Sequence, residues 1–231
     1  MRNISREEKK YLLNTYDYIT LCHKLDKILH PDPHGGRDGY MVRSLYFDTV
    51  YDSDFFNKVE GLEKRRKIRL RIYDTESDTA LLEMKQKQDI YQLKRSLSIS
   101  REDAVKISQA DYSPLLKEGS PFALELYAIM QTEVYRPKAI VEYNRKAYIA
   151  KENNIRITFD SLLRSTESSY DIFSSDLNLN PVLGSATTIM EIKYNGFLLS
   201  YIKDLLSLAD RETLSVSKYI LARHHSYLTH I

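Results

Sequence analysis

Charged and apolar side chains alternate one for one along Lys67-Ile-Arg69-Leu-Arg71-Ile-Tyr73, and again along Leu82-Glu83-Met-Lys85-Gln-Lys87. In extended backbone, successive side chains leave on opposite faces, so each segment reads as a strand with one ionic and one apolar face. Further stretches repeat the pattern. The ionic faces carry Glu8 and Lys10; Arg43; Lys67, Arg69 and Arg71; Glu83, Lys85 and Lys87; Lys94; Arg145; Arg156 and Asp160; Glu191 and Lys193. Opposite them stand Ile68, Leu70 and Ile72; Leu82 and Met84; Ile155, Ile157 and Phe159; Met190, Ile192 and Tyr194. Two geometries satisfy this. The apolar faces can pack together with the charges in water, which is the ordinary outcome for a soluble sheet. Alternatively, a closed barrel turns its charges inward and its apolar face outward against helices.

Composition narrows the partners. With 231 residues and 42% hydrophobic content the chain is expected to form one domain over 1–231 with a substantial core. Net charge is only +2, from 34 Lys+Arg against 32 Asp+Glu, so any anion site must come from local segregation of charge rather than from a basic protein as a whole. Cys22 is the single cysteine, which excludes an intramolecular disulfide and fits a reducing compartment. No stretch has the length of a membrane span and the first residues carry no apolar signal region, so a cytoplasmic protein is expected.

Turn and cap signals divide the rest. Strands are expected at 4–11, 40–48, 67–73, 80–87, 92–99, 139–145, 155–160 and 188–194, and helices at 14–29, 52–59, 104–109, 121–131, 198–208 and 216–228. Ile19, Leu21, Leu25, Ile28 and Leu29 form the stripe of the first helix, Gly61 ends the second, and Ser100-Arg-Glu-Asp103 caps the third. Residues 31–39 and 166–185 read as loops. The sum is α+β with a mainly antiparallel sheet.

Other chemistry is poorly represented. There is no P-loop, dinucleotide glycine pattern, HExxH or paired CxxC, and the six histidines lie at no ligand spacing. Cys22 falls on an expected helix without a histidine partner and reads as a buried structural thiol. The run Lys64-Arg65-Arg66-Lys67 is too short to argue for nucleic acid. Were the charged faces interior, so many cations could not pack dry without an anion or abundant water. Polyphosphate groups are the natural match, because Arg donates in a planar fork to phosphate oxygens and Lys supplies a movable point charge. Glu191, with Glu8 and Glu83 as further carboxylates, would suit a divalent ion shared with phosphate.

The ordered motifs carry a resemblance. Arg6-Glu-Glu8-Lys-Lys10-Tyr11, Arg43-Ser-Leu-Tyr-Phe-Asp48, the Lys67 and Leu82 segments, Val141-Glu-Tyr143-Asn-Arg145, Arg156-Ile-Thr-Phe-Asp160, Glu191-Ile-Lys193-Tyr194 and Ser217-Lys218-Tyr219 resemble, in order, the VTC domain. That is the polyphosphate polymerase domain of the vacuolar transporter chaperone complex, within the triphosphate tunnel metalloenzymes or CYTH-like superfamily. The resemblance implies a closed antiparallel β-barrel, a triphosphate tunnel, with a charged lumen and helices packed outside. It implies phosphate contacts from Lys10, Arg43, Arg69, Arg71, Lys85, Lys94, Arg145, Arg156 and Lys193, with Lys218 on the last helix closing one end. Arg95 could take the place of Lys94 with a one-residue shift. Glu191 would hold Mn²⁺ or Mg²⁺. Arg6 stands where the wider superfamily has the first Glu of Glu-x-Glu-x-Lys, which fits the VTC branch better than the cyclase or thiamine triphosphatase branches.

The implied function is a metal-dependent polyphosphate polymerase that transfers the terminal phosphoryl group of ATP to inorganic polyphosphate. The alternatives are a triphosphatase or polyphosphatase, and a non-catalytic module binding polyphosphate or inositol phosphates. Nucleic acid is not an expected partner. This sequence lacks the phosphate-sensing and membrane domains of the eukaryotic complex, so coupling to transport is not implied, and a membrane protein is a candidate partner.

Overall fold

A computed structural model describes residues 6–36, 38–88, 91–207, 212–213, 215 and 217–228. The elements are β1 (Arg6–Asn14), α1 (Thr15–Leu25), β2 (His30–Pro31), β3 (Tyr40–Thr49), α2 (Ser53–Val59), β4 (Arg65–Ile72), β5 (Thr79–Gln88), β6 (Tyr91–Ser100), α3 (Arg101–Ser108), α4 (Ser113–Glu118) and α5 (Pro121–Thr132). They continue with β7 (Tyr135–Ala150), β8 (Ile155–Thr166), β9 (Asn180–Pro181), β10 (Thr187–Asn195), α6 (Ser200–Ser207), β11 (Glu212–Thr213) and α7 (Lys218–Leu228). The class is α+β, as expected.

The strands hydrogen-bond in the order β11-β1-β10-β8-β7-β3-β4-β5-β6, with β2 on β7 and β9 on β8. The path has two ends. Among the described residues no pairing joins β11 to β6, so the sheet is not closed into the expected barrel. No described helix is long and apolar enough to cross a membrane.

Contacts divide the chain into two compact units, the first made of Met1–Met41, Tyr143–Leu163 and Leu183–Val216, the second of Val42–Glu142, Arg164–Val182 and Ser217–Ile231. Each has its own core. In the first unit, Leu13, Ile155, Ile157, Phe159, Met190 and Ile192 cover one sheet face and meet Leu21, Cys22 and Leu25 of α1 and Ile202 and Leu206 of α6. In the second, Leu45, Phe47, Ile68, Leu70, Ile72, Leu82 and Met84 meet Ala104 and Ile107 of α3, Leu115 of α4, and Leu126 and Met130 of α5. The apolar half of the period-two pattern is the helix-covered side of the sheet in each unit. Each core side chain so buried contributes about 1.5–3 kcal/mol.

Boundaries shift for physical reasons. The first helix ends at Leu25; its buried face is Leu21, Cys22 and Leu25, while Ile19 within it and Ile28 beyond it are exposed. Cys22 is buried as expected, and burial raises its pKa. Helix α2 matches the expectation and Gly61 beyond it adopts φ +75°. Ser100 caps α3 by accepting from the Asp103 amide at 3.1 Å. Helix α4 was not expected; it begins with Pro at its first turn and ends at Gly119 in the left-handed region. Strand β7 runs 16 residues, beyond both ends of the expected 139–145 and through Pro137.

Candidate functional site

The second unit supplies a cationic sheet face whose rows follow from strand register. Ser44, Arg71 and Leu81 form one row across β3, β4 and β5; Tyr46, Arg69 and Glu83 form the next, with Ser96 on β6; Lys67, Lys85 and Lys94 form the third. Glu83 is the hub. It is 2% exposed, accepts from Arg69 Nε at 2.7 Å, lies 3.7 Å from Arg71 Nη1 and is in contact with Lys94 Nζ. Burial works to raise its pKa, but Arg69, Arg71 and Lys94 outweigh it and hold the carboxyl at about 2. A carboxylate engaged by three cations is a poor metal ligand, which argues against the expectation that Glu83 joins a divalent-ion site.

Tyr46 belongs to the same row and was not anticipated. Its hydroxyl accepts from Arg69 Nη1 at 3.3 Å, and its ring stacks on Tyr219 of α7 with centroids 5.2 Å apart. Burial works to raise the phenol pKa; Arg69 and Arg71, then Lys218, overcome it and lower the value. The Lys218 charge thus acts on the Tyr46 hydroxyl. Tyr219 also donates to buried Asp48 at 2.8 Å, and Asp48 accepts from the Asp54 and Phe55 amides that open α2. The last helix is therefore tied to β3 beside the cationic rows.

Asp54 sits behind this tie, accepting from Tyr135 Oη at 2.8 Å. Burial, with Asp48 beside it, pushes Asp54 up to about 7. Between its ordinary value and that one, the folded protein holds a proton that the unfolded chain has released, so stability falls as pH rises through the window. Asp54→Asn is expected to raise the melting temperature most at about pH 8, less at about pH 5, and least as pH falls below the ordinary carboxylate value. Parallel melting curves across that range would contradict the assignment.

Two expected ligands separate on register. Arg43 pairs with Ile72 and lies on the helix-covered face, not with Arg69 and Arg71. It is 5% exposed, holds Glu142 through Nε at 2.7 Å and Nη2 at 2.6 Å, and donates to the Ile172 and Ser174 carbonyls. Its surroundings are those of a structural ion pair. Arg95 pairs with Met84, faces the helices and binds Glu125 at 2.5 and 2.6 Å; Lys94, opposite Lys85, takes the cationic face.

The first unit offers a charge-balanced face. Lys10 pairs with Glu191 on the ladder and Glu8 with Lys193. Lys193 Nζ lies 2.5 Å from Glu191 Oε1 and 3.8 Å from Glu8 Oε2, and Lys10 Nζ lies 2.8 Å from Glu8 Oε1. Arg145 binds Asp160 bidentately at 2.7 and 2.8 Å. Arg156 donates to Asp32 at 2.5 Å and to Tyr40 at 3.1 Å. The loop carrying Asp32 closes onto β7 at Gly39, where φ is +86° and an added Cβ would stand 2.5 Å from the Arg145 carbonyl oxygen.

This face fits a divalent cation as far as its donors go. Two carboxylates, Glu8 and Glu191, already share one positive centre in Lys193. Beside Glu191 on the ladder is Thr158, whose buried hydroxyl has no hydrogen-bond partner. Mg²⁺ and Mn²⁺ are commonly held by one or two carboxylates, with water and substrate phosphate completing the shell. Among the described residues no cluster of three or more ligating side chains exists, so phosphate or water would have to complete it.

The chain belongs to the VTC domain family, whose pattern matches residues 5–227. The fold is similar to that of HpAC1 from Hippeastrum, a provisionally assigned adenylyl cyclase described as revealing a dominant triphosphatase activity. That match has 15% identity and a TM-score of 0.56, covering 94% of this chain and 95% of the other. It is also similar to a provisionally assigned adenylate cyclase from Bacillus halodurans, with 15% identity and a TM-score of 0.50, covering 93% and 96%. Among curated proteins no sequence matches significantly.

Proposed function

We propose that the chain is a metal-dependent polyphosphate polymerase, transferring the terminal phosphoryl group of ATP to the end of an inorganic polyphosphate chain. VTC membership supports a polyphosphate- or triphosphate-related enzyme. The observation that carries the reading further is the convergence of Arg69, Arg71 and Lys94 on Glu83, with Lys85 in the adjoining row. The arginines are held in place before any ligand arrives and present planar donors for phosphate oxygens. Lys85 and Lys94 are exposed residues on flexible stems, and the Lys94 ammonium could leave Glu83 to follow a moving phosphoryl group. Such chemistry needs no protein nucleophile: the side chains hold the donor, neutralise charge as it shifts toward the leaving diphosphate, and align the acceptor oxygen.

Glu191, with Glu8, would hold Mn²⁺ or Mg²⁺, which when bound neutralises phosphate charge and orients the transferred group. Lys193 and Lys10, already paired to these carboxylates, would exchange one partner for phosphate oxygens.

Hydrolysis is the second reading, with water as acceptor in the same cage. The triphosphatase activity ascribed to HpAC1 favours it. Product analysis separates the two. With ATP, a short polyphosphate primer and Mn²⁺, the polymerase reading expects primer lengthening matched by ADP release. Orthophosphate release without lengthening would replace it with the hydrolase reading, and no turnover would overturn both.

A further inference from the structure

Along β8 the ionic face of the first unit carries Arg156, Thr158 and Asp160. Arg156 holds Asp32 and Tyr40, and Asp160 holds Arg145 bidentately. On the neighbouring strands Glu191 is taken by Lys193, and Glu8 by Lys10. Thr158 stands in the middle of these engaged groups and holds nothing. The residue is 6% exposed, and its hydroxyl is buried without a hydrogen-bond partner.

Other buried side-chain atoms also lack a hydrogen bond, but they belong to Asp52, Arg66, Arg95, Arg156 and Arg223, each of which holds an ion pair. Within the described residues, Thr158 alone of this group has no polar partner of any kind. A hydroxyl buried in this way carries a desolvation cost that valine, of the same shape, would not. Such an orphan is explained when a second state of the site supplies the missing bond.

The register names the partner. Thr158 stands directly across from Glu191, and opposed residues of an antiparallel pair have Cβ atoms about 4.5–5.5 Å apart. Here the carboxylate is drawn along its own strand instead, with Glu191 Oε1 2.5 Å from Lys193 Nζ. A divalent cation bound by Glu8 and Glu191 takes the place of the ammonium that now lies against both. A carboxylate freed from Lys193 turns about its last bonds, and the hydroxyl across the ladder is there to stop it.

We propose that Thr158 is the positioning residue of the cation site, its hydroxyl donating to Glu191 once that carboxylate has left Lys193 for a divalent cation. This rests on the metal-dependent reading above and adds the group that sets the aim of Glu191. Thr158 acts through the carboxylate and touches neither cation nor phosphate. Carboxylates that ligate metals are themselves held by outer hydrogen bonds, whose loss costs metal affinity.

Titration of the whole chain with Mn²⁺, followed by electron paramagnetic resonance, tests it on Thr158→Val and Thr158→Ser. Valine keeps the shape without the hydroxyl, and serine keeps the hydroxyl without the methyl. Thr158→Val is expected to weaken Mn²⁺ binding by about 10-fold or more, with Thr158→Ser within about threefold of the wild type. In metal-free buffer Thr158→Val should melt no lower than the wild type, since no bond is lost there. A hydroxyl that is merely structural gives the reverse, a lower melting temperature with unchanged Mn²⁺ affinity, and either of those results would overturn the proposal. Equal losses of affinity in the two variants would overturn it as well, because the hydroxyl would not be their cause. In each of these cases the cation site itself still stands. Wild-type protein that takes up no Mn²⁺, alone or with inorganic triphosphate, would overturn the cation site and the role of Thr158 together.

Discussion

Glu191→Gln should abolish most metal-dependent turnover, by about 10²–10³-fold or more, while the protein folds normally. Glutamine matches glutamate in shape, so a side chain only 8% exposed keeps its packing. The variant loses the negative charge that Lys193 shares with Glu8, and with it the pair of carboxylates able to hold a divalent ion against phosphate. Metal-free binding of triphosphate should survive, because Arg69, Arg71, Lys85 and Lys94 are untouched. Titration of triphosphate with and without Mn²⁺, run beside steady-state rates, separates the roles. The wild type should gain affinity on adding metal and the variant should not. Full activity in the variant would remove Glu191 from the metal site.

The largest effect on stability is expected elsewhere, at Glu142→Ala. Arg43 and Glu142 are 5% and 6% exposed, and removing the acid leaves a guanidinium buried with only the Ile172 and Ser174 carbonyls. Breaking a buried pair this way costs about 3–5 kcal/mol. In a chain of this size that lowers the melting temperature by roughly 10 °C. Arg164, which also reaches Glu142 at 2.6 Å, has a half-exposed side chain; Arg164→Ala should cost no more than ~1 kcal/mol. Thermal melts of the two variants beside triphosphate titrations decide the role of Arg43. A structural pair predicts lost stability with affinity kept at temperatures where the variant is folded. Lost affinity with unchanged melting would return Arg43 to the phosphate ligands.

Why the sequence placed Arg43 on the cationic face is instructive. The reading of the ionic faces took Arg43 for its charge, and the motif Arg43-Ser-Leu-Tyr-Phe-Asp48 carried it over without its parity. Leu45 and Phe47 are core residues, so period two already puts Arg43 on their side and Ser44, Tyr46 and Asp48 on the other. The same parity resolves Lys94 from Arg95 once Leu97 and Ile99 are taken as the buried face of β6. Alternation was therefore legible wherever both of its halves were read. Pairings over long separations were not: nothing local announces that Asp32 meets Arg156, that Glu142 meets Arg43, or that Tyr219 reaches Asp48 across 171 residues. The unpartnered Thr158 hydroxyl was equally silent, because a threonine in a strand is ordinary until its neighbours are known. Closure of the sheet depends on how two end strands meet, and strand periodicity carries no information about that.

Glu83 gives the arginine rows a resident counter-ion. Folding, rather than ligand capture, bears the entropy of fixing Arg69 and Arg71, so on the proposed function a phosphate would meet donors already aimed. The same carboxylate would repel that phosphate and compete for its donors. A cage built this way would withhold its tightest grip, which would suit a surface that must let go of one phosphate to receive the next.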